Sequence, residues 1–214
     1  MARIHDRSAA GRLLAPLVSR QPLEDPVVLG IGPGGVAVGA GIAAFLHCPL
    51  DMLDIQEVDA GDALHPSRAI GAVSGDGHIL VRPESLEHVS SGPESVRRAV
   101  QEARAAVARH LAGGGHPGGR METSWRTLIL VDDGSSPRLV LAAALDLARA
   151  GRPGRVLLAI ATAPQEVVDD LASLAGDVVV GLVAPWTEWF AWHGRLYEDD
   201  SVPSGERLSQ LIGA

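Results

Sequence analysis

The chain has 214 residues, 46% of them apolar, with 26 acidic and 18 basic side chains and a formal net charge of -8. That is enough for one larger single-core domain or a core with a small flap. Its scattered basic residues exclude the concentrated positive surface that nucleic-acid binding needs. No run approaches the ~18 apolar residues that cross a bilayer, the start Met1-Ala-Arg-Ile-His-Asp-Arg-Ser lacks a signal-peptide core, and the lone Cys48 excludes an internal disulfide, so a cytoplasmic protein is expected.

Residues 6–20 read as a short helix, with Arg7, Arg12 and Arg20 outward and Leu13, Leu14 and Val18 inward. Val27-Val-Leu-Gly-Ile31 is a continuous apolar run between turn signals, as expected of a strand buried on both faces. Gly32-Pro-Gly-Gly35 reads as a turn, Val36–Leu46 as a helix of small residues, and Leu50–Ile55 as the next strand. Within 56–92, Ala69–Ser74 and His78–Val81 suggest two short antiparallel strands around a tight turn. Pro93 opens an amphipathic helix with Val96, Val100, Ala103 and Val107 on one stripe. It stops at Gly113-Gly-Gly-His-Pro-Gly-Gly119, in a Gly-rich connector over 113–126.

The second half alternates strand and helix: Thr127–Val131, the helix around Leu139–Ala150, Arg155–Ala161, Pro164–Leu174 and Asp177–Val183. Such alternation predicts right-handed crossovers and a parallel sheet flanked by helices, a Rossmann-like α/β fold. One domain over 1–214 is expected, with 56–92 as a hood-like insertion.

Leu130-Val-Asp132-Asp133-Gly134 is the sequence feature richest in chemistry. It resembles the heart of the phosphoribosyl-pyrophosphate signature of type I phosphoribosyltransferases. The chain is similar to a bacterial subgroup of that family with an opening Asp-Arg-x-x-Ala-Gly-Arg, here Asp6, Arg7, Ala10, Gly11 and Arg12. The subgroup's Leu-Gly-Leu-Pro-Arg-Gly-Gly-Val loop corresponds to Leu29–Val36, its His-Pro segment to His65-Pro66, and its late aromatic-acidic stretch to Tyr197-Glu198-Asp199. The resemblance implies the type I phosphoribosyltransferase fold with a small hood. It also implies that Asp132 and Asp133 hold ribose hydroxyls, ahead of a loop that wraps a phosphate at a helix N-terminus.

At the phosphate loop's positions stand Pro137, Arg138, Leu139 and Val140, which offer neither a glycine approach nor hydroxyls. Ser135 and Ser136 can cap the next helix or bind a ligand, and Arg138 can grip an anion. The family's loop arginine falls at Pro33, and its basic pair at Gln56-Glu57, beside Asp54, Asp59 and Asp62. Replacing cations by neutral and acidic groups turns attraction for pyrophosphate into repulsion, ~1 kcal/mol per close pair in water. The donor site is therefore expected to be rewritten.

The candidate catalytic residues are Asp132, Asp133, His65 and His193; the candidate ligand contacts are Gly32, Gly34, Gly35, Gly134, Ser135, Ser136, Arg138, Trp189, Phe190 and Tyr197. Each has a structural alternative: a helix cap or solvated side chain for the acids, a tight turn for the glycines, and surface groups for the histidines. The aromatics of 186–197 suit either a flat apolar ligand or a homodimer contact. Metal ligands and cofactors are not expected. The readings left open are a repurposed enzyme acting on a small, less anionic substrate at the sheet edge, a non-catalytic nucleotide- or metabolite-binding regulator, and an atypical phosphoribosyltransferase.

Overall fold

A computed structural model describes residues 3–61, 69–75, 77–81, 83–87, 89, 92–112, 122–185 and 196–213. The strands β1 (Val27–Ile31), β2 (Leu50–Leu53), β6 (Thr127–Asp132), β7 (Arg155–Pro164) and β8 (Asp177–Ala184) form one sheet in the order β2-β1-β6-β7-β8. All four pairings are parallel. The order reverses between β1 and β6, which makes the carboxyl ends of those two strands the sheet's switch point, the usual ligand crevice of open α/β sheets.

Strand residues are apolar on both sides because both faces are covered. Val28, Ile129, Val131, Leu157 and Ala159 pack into one core with α1 (Arg7–Val18), α2 (Gly32–Leu46) and the C-terminal helix over Gly205–Ile212. Leu29, Leu128, Leu130, Leu158 and Ile160 pack into a second core with α5 (Arg138–Ala150) and α6 (Gln165–Ala175). The small sheet β3 (Ile55–Asp59), β4 (Ala69–Ser74) and β5 (Ile79–Val81) is antiparallel and lies against α5. Its other side forms a third core with α4 (Gly92–Ala112), through Val58, Ile70, Val73, Ala99 and Ala103. The helix α3 (Pro83–Leu86) stands between β5 and α4 along the chain. No described helix is long and apolar enough to cross a membrane.

Three details depart from the sequence reading. Leu50–Ile55 is not one strand: the chain leaves the main sheet after Leu53 and enters the small sheet at Ile55, with Asp54 buried between. Gly32-Pro-Gly-Gly35 is not a separate loop but the first turn of α2, because Pro33 sits where a helix's first N–H groups have no partner anyway. In α1 the inward set is Arg7, Ala10, Gly11, Leu14, Ala15 and Val18, so Arg7 is buried and Leu13 is exposed. The opening motif becomes intelligible here. Asp6 caps α1 by accepting the Ala9 N–H at 2.6 Å, and a Cβ on Gly11 would lie 2.4 Å from the Val38 carbonyl of α2. Gly11 therefore sets the close crossing of α1 and α2. The Gly-rich connector over 113–121 lies outside the described residues.

Candidate functional site

The strand β6 delivers Asp132 and Asp133 to the switch point, where they are 1% and 3% exposed. Neither is solvated. Asp133 Oδ2 accepts the Arg7 Nε–H at 2.8 Å, a buried ion pair that joins α1 to the sheet edge. Asp133 Oδ1 accepts the Ser135 N–H at 3.0 Å and the Ser135 hydroxyl at 2.6 Å. Asp132 accepts the Gly134 N–H at 2.7 Å on one oxygen and the Ser136 hydroxyl on the other. Burial, and then the neighbouring Asp133 carboxylate, raise the Asp132 pKa to about 7.

The Arg7 guanidinium is held on its other sides too. It lies 4.7 Å from the centre of the Tyr197 ring, a cation–π contact, and donates to the Ser201 carbonyl at 3.1 Å. The Tyr197 hydroxyl donates to the Asp133 backbone carbonyl at 2.5 Å, and its burial raises the phenol pKa, so the proton stays on. The Tyr197 segment is pinned to the N-terminus by Glu198 N–H to Ile4 carbonyl at 3.1 Å and Asp199 N–H to His5 carbonyl at 2.8 Å. Tyr197→Phe removes one buried hydrogen bond and leaves the Asp133 carbonyl short of a donor. A loss of about 1 kcal/mol is expected by chemical denaturation.

Gly34 completes the arrangement. A Cβ there would lie 2.2 Å from Asp133 Oδ2 and 3.3 Å from Arg7 Nε, so the ion pair rests directly on the first turn of α2. That turn is where a helix dipole favours an anion. The protein's own carboxylate occupies the position.

Of the sequence-derived candidates, Asp132, Asp133, Gly34, Gly134, Ser135, Ser136 and Tyr197 come together here, joined by the hydrogen bonds and close contacts given above. Gly32 and Gly35 stand beside them in the first turn of α2. Ser135 and Ser136 bond the two carboxylates rather than capping α5, whose N-cap is Pro137 with no side-chain cap bond. Arg138 points elsewhere: its guanidinium pairs with Asp170 of α6. His65, His193, Trp189 and Phe190 lie outside the described residues. Arg7 is the residue that reading for function missed. Its signal is its place beside Asp6 in the opening motif, although an arginine on an amphipathic helix usually faces water.

A cavity of about 440 Å³ lies elsewhere, against α5 and the small sheet, and none of the switch-point residues above lines it. The expectation of a sheet-edge pocket floored by Asp132 and Asp133 therefore does not describe this cavity.

The chain is 30% identical to TT1426 from Thermus thermophilus, whose crystal structure superposes with a TM-score of 0.78 over 99% of this chain and 98% of that one. Two Mycobacterium tuberculosis proteins, of strains H37Rv and CDC 1551, carry the provisional name phosphoribosyl transferase and are 30% identical over 183 residues, 84% of this chain. The chain spans 40% of the length of those curated relatives. AQ2163 from Aquifex aeolicus, 13% identical with a TM-score of 0.51 over 84% of this chain and 75% of that one, shares the fold. No family model matches. With the sheet order, the Asp-Asp-Gly at the switch point and these relatives, the chain belongs to the phosphoribosyltransferase-like family.

Proposed function

We propose that this protein is a member of the family in which the phosphoribosyl donor site has become a structural lock, and that it acts on a small molecule less anionic than a phosphoribosyl donor. The observation that carries this reading is the Arg7–Asp133 ion pair. An acid meant for ribose hydroxyls needs free lone pairs facing a crevice. Asp133 instead spends one oxygen on Arg7 and the other on Ser135, in a setting 3% exposed. The phosphate side agrees. Pro137 opens α5 without an N–H, and Arg138 is committed to Asp170.

A catalytic version of the reading is favoured by one further observation. Buried beside the Asp133 carboxylate, Asp132 is a carboxyl group that exchanges its proton near neutral pH, the property a general acid or base requires. The free Cys48 fits a cytoplasmic setting.

The test is direct. Phosphoribosyl pyrophosphate with Mg²⁺ is added to the purified protein, and both the melting temperature and pyrophosphate release are followed. An unchanged melting temperature and no release, with or without nucleobases, are expected. A rise in melting temperature that Asp132→Asn abolishes would return the protein to ordinary phosphoribosyl transfer.

A further inference from the structure

We infer that β8 is the docking edge for a second copy of this chain, and that two copies pair antiparallel along it, joining their five-stranded sheets into one. The inference is independent of what the switch point binds.

The two outer strands of the main sheet are built differently. β2 is four residues long, carries Asp51, and packs against α2 and the C-terminal helix. β8 runs for eight residues, and from Val178 to Ala184 it contains no charge and no proline. Short length, charge and proline are the devices by which soluble proteins block a strand edge. β8 has a charge only at its first residue, Asp177, and that carboxylate is paired within the chain to Arg155 Nε at 2.8 Å. Among the described residues β8 pairs with β7 alone. Its outward N–H and C=O groups are therefore a template for another strand.

The charge pattern and the neighbouring helix select the occupant. Antiparallel self-pairing about a two-fold axis near Gly181 puts the two Asp177 carboxylates at opposite ends, roughly 26 Å apart at ~3.3 Å per residue. Parallel pairing would set them side by side. Between those ends, only valine, leucine, glycine and alanine face one another, and apolar cross-strand pairs are the unit of sheet stabilisation. The axis also falls beside an exposed leucine. A Cβ on Gly181 would lie 3.3 Å from Leu13 Cδ2, so Leu13 of α1, 41% exposed, stands over the middle of β8. A two-fold axis perpendicular to the sheet brings both copies of Leu13 to the same face of the joined sheet, and the same contact covers Val183, 40% exposed. An extended foreign peptide would fill the strand edge without a helix to set against Leu13. A second copy supplies both.

Sedimentation equilibrium and amide hydrogen exchange on the full chain test this. At roughly 100 μM the protein should run at twice its chain mass of 22.3 kDa. Outward amides of β8 should exchange more slowly there than at about 1 μM, with the amides of β2 unchanged. Val183→Lys and Leu13→Glu change side chains that are exposed in the single chain, so both variants should fold. Val183→Lys should weaken the dimer about a hundredfold, ~10-fold from each copy, and Leu13→Glu should also shift the mass to that of one chain. Trp125→Ala, 82% exposed in the turn before β6, should leave the dimer intact. A single-chain mass at every concentration overturns the inference, as does a dimer whose β8 amides exchange at the same rate when diluted, a comparison that needs no variant. A dimer that survives Val183→Lys, or is lost in Trp125→Ala, overturns it too.

Discussion

Arg7→Met is expected to destabilise the protein by about 3–5 kcal/mol, the cost of stranding a buried charge whose partner has been removed. In the native protein the guanidinium and the Asp133 carboxylate are 9% and 4% exposed at the side chain and meet at 2.8 Å. Methionine fills similar volume against Tyr197 but leaves Asp133 Oδ2 without a donor, pressed on Gly34 in a place water does not reach. The same substitution loosens the Ser201 carbonyl and the Tyr197 ring, which Arg7 also holds. Urea unfolding measures the loss as a lower midpoint with unchanged slope. The double variant Arg7→Met/Asp133→Asn removes the stranded charge and should recover most of the stability, so that the two changes are strongly non-additive. A single-variant cost below ~1 kcal/mol, the value of an exposed pair, would mean that the pair is solvated and the crevice open.

The second large effect is a pH dependence. Burial and the Asp133 carboxylate raise the folded-state pKa of Asp132 from 3.8 to about 7. Between those values the folded protein holds a proton that the unfolded chain has released. Stability from this group is therefore fully present below about pH 4 and lost as the pH rises through 7. At 1.36 kcal/mol per unit, the full shift amounts to a change on the order of 4 kcal/mol. Asp132→Asn carries no titrating proton and still accepts the Gly134 N–H. Relative to the wild type it should gain stability as the pH is raised from 5 to 8, with the other acids cancelling in the comparison. A difference between the two proteins that is flat across this range would place Asp132 in contact with solvent.

Much of the architecture was legible from period and punctuation. The strands β1 and β6–β8 are apolar runs between turn residues, and the helices between them alternate as a parallel sheet requires. What escaped was decided by tertiary partners. Pro33 reads locally as a breaker, yet at the start of α2 its missing N–H costs nothing. Leu50–Ile55 reads as one strand, and only the pairing of Leu50–Leu53 with β1 and of Ile55 with β4 shows that two sheets share it. For the site, Asp132 and Asp133 were visible as a strand-end pair, and the changes at Pro33, Pro137 and Arg138 were visible as departures from the family pattern. Arg7 was present in the motif but its direction was not, because a helical arginine faces inward only when a specific acid, 126 positions later, meets it. The pairing of Tyr197 with both ends of that contact likewise depends on the bridge between Ile4 and Tyr197, which no local pattern announces.

We propose a switch point closed to the family's phosphoribosyl donor. Calorimetric titration of phosphoribosyl pyrophosphate and Mg²⁺ into the wild-type chain measures this most directly. No saturable heat is expected, because Asp133 already holds Arg7 and Pro137 opens α5 without an N–H to donate. Saturable micromolar binding, lost in both Asp132→Asn and Asp133→Asn while those variants remain folded, would contradict it.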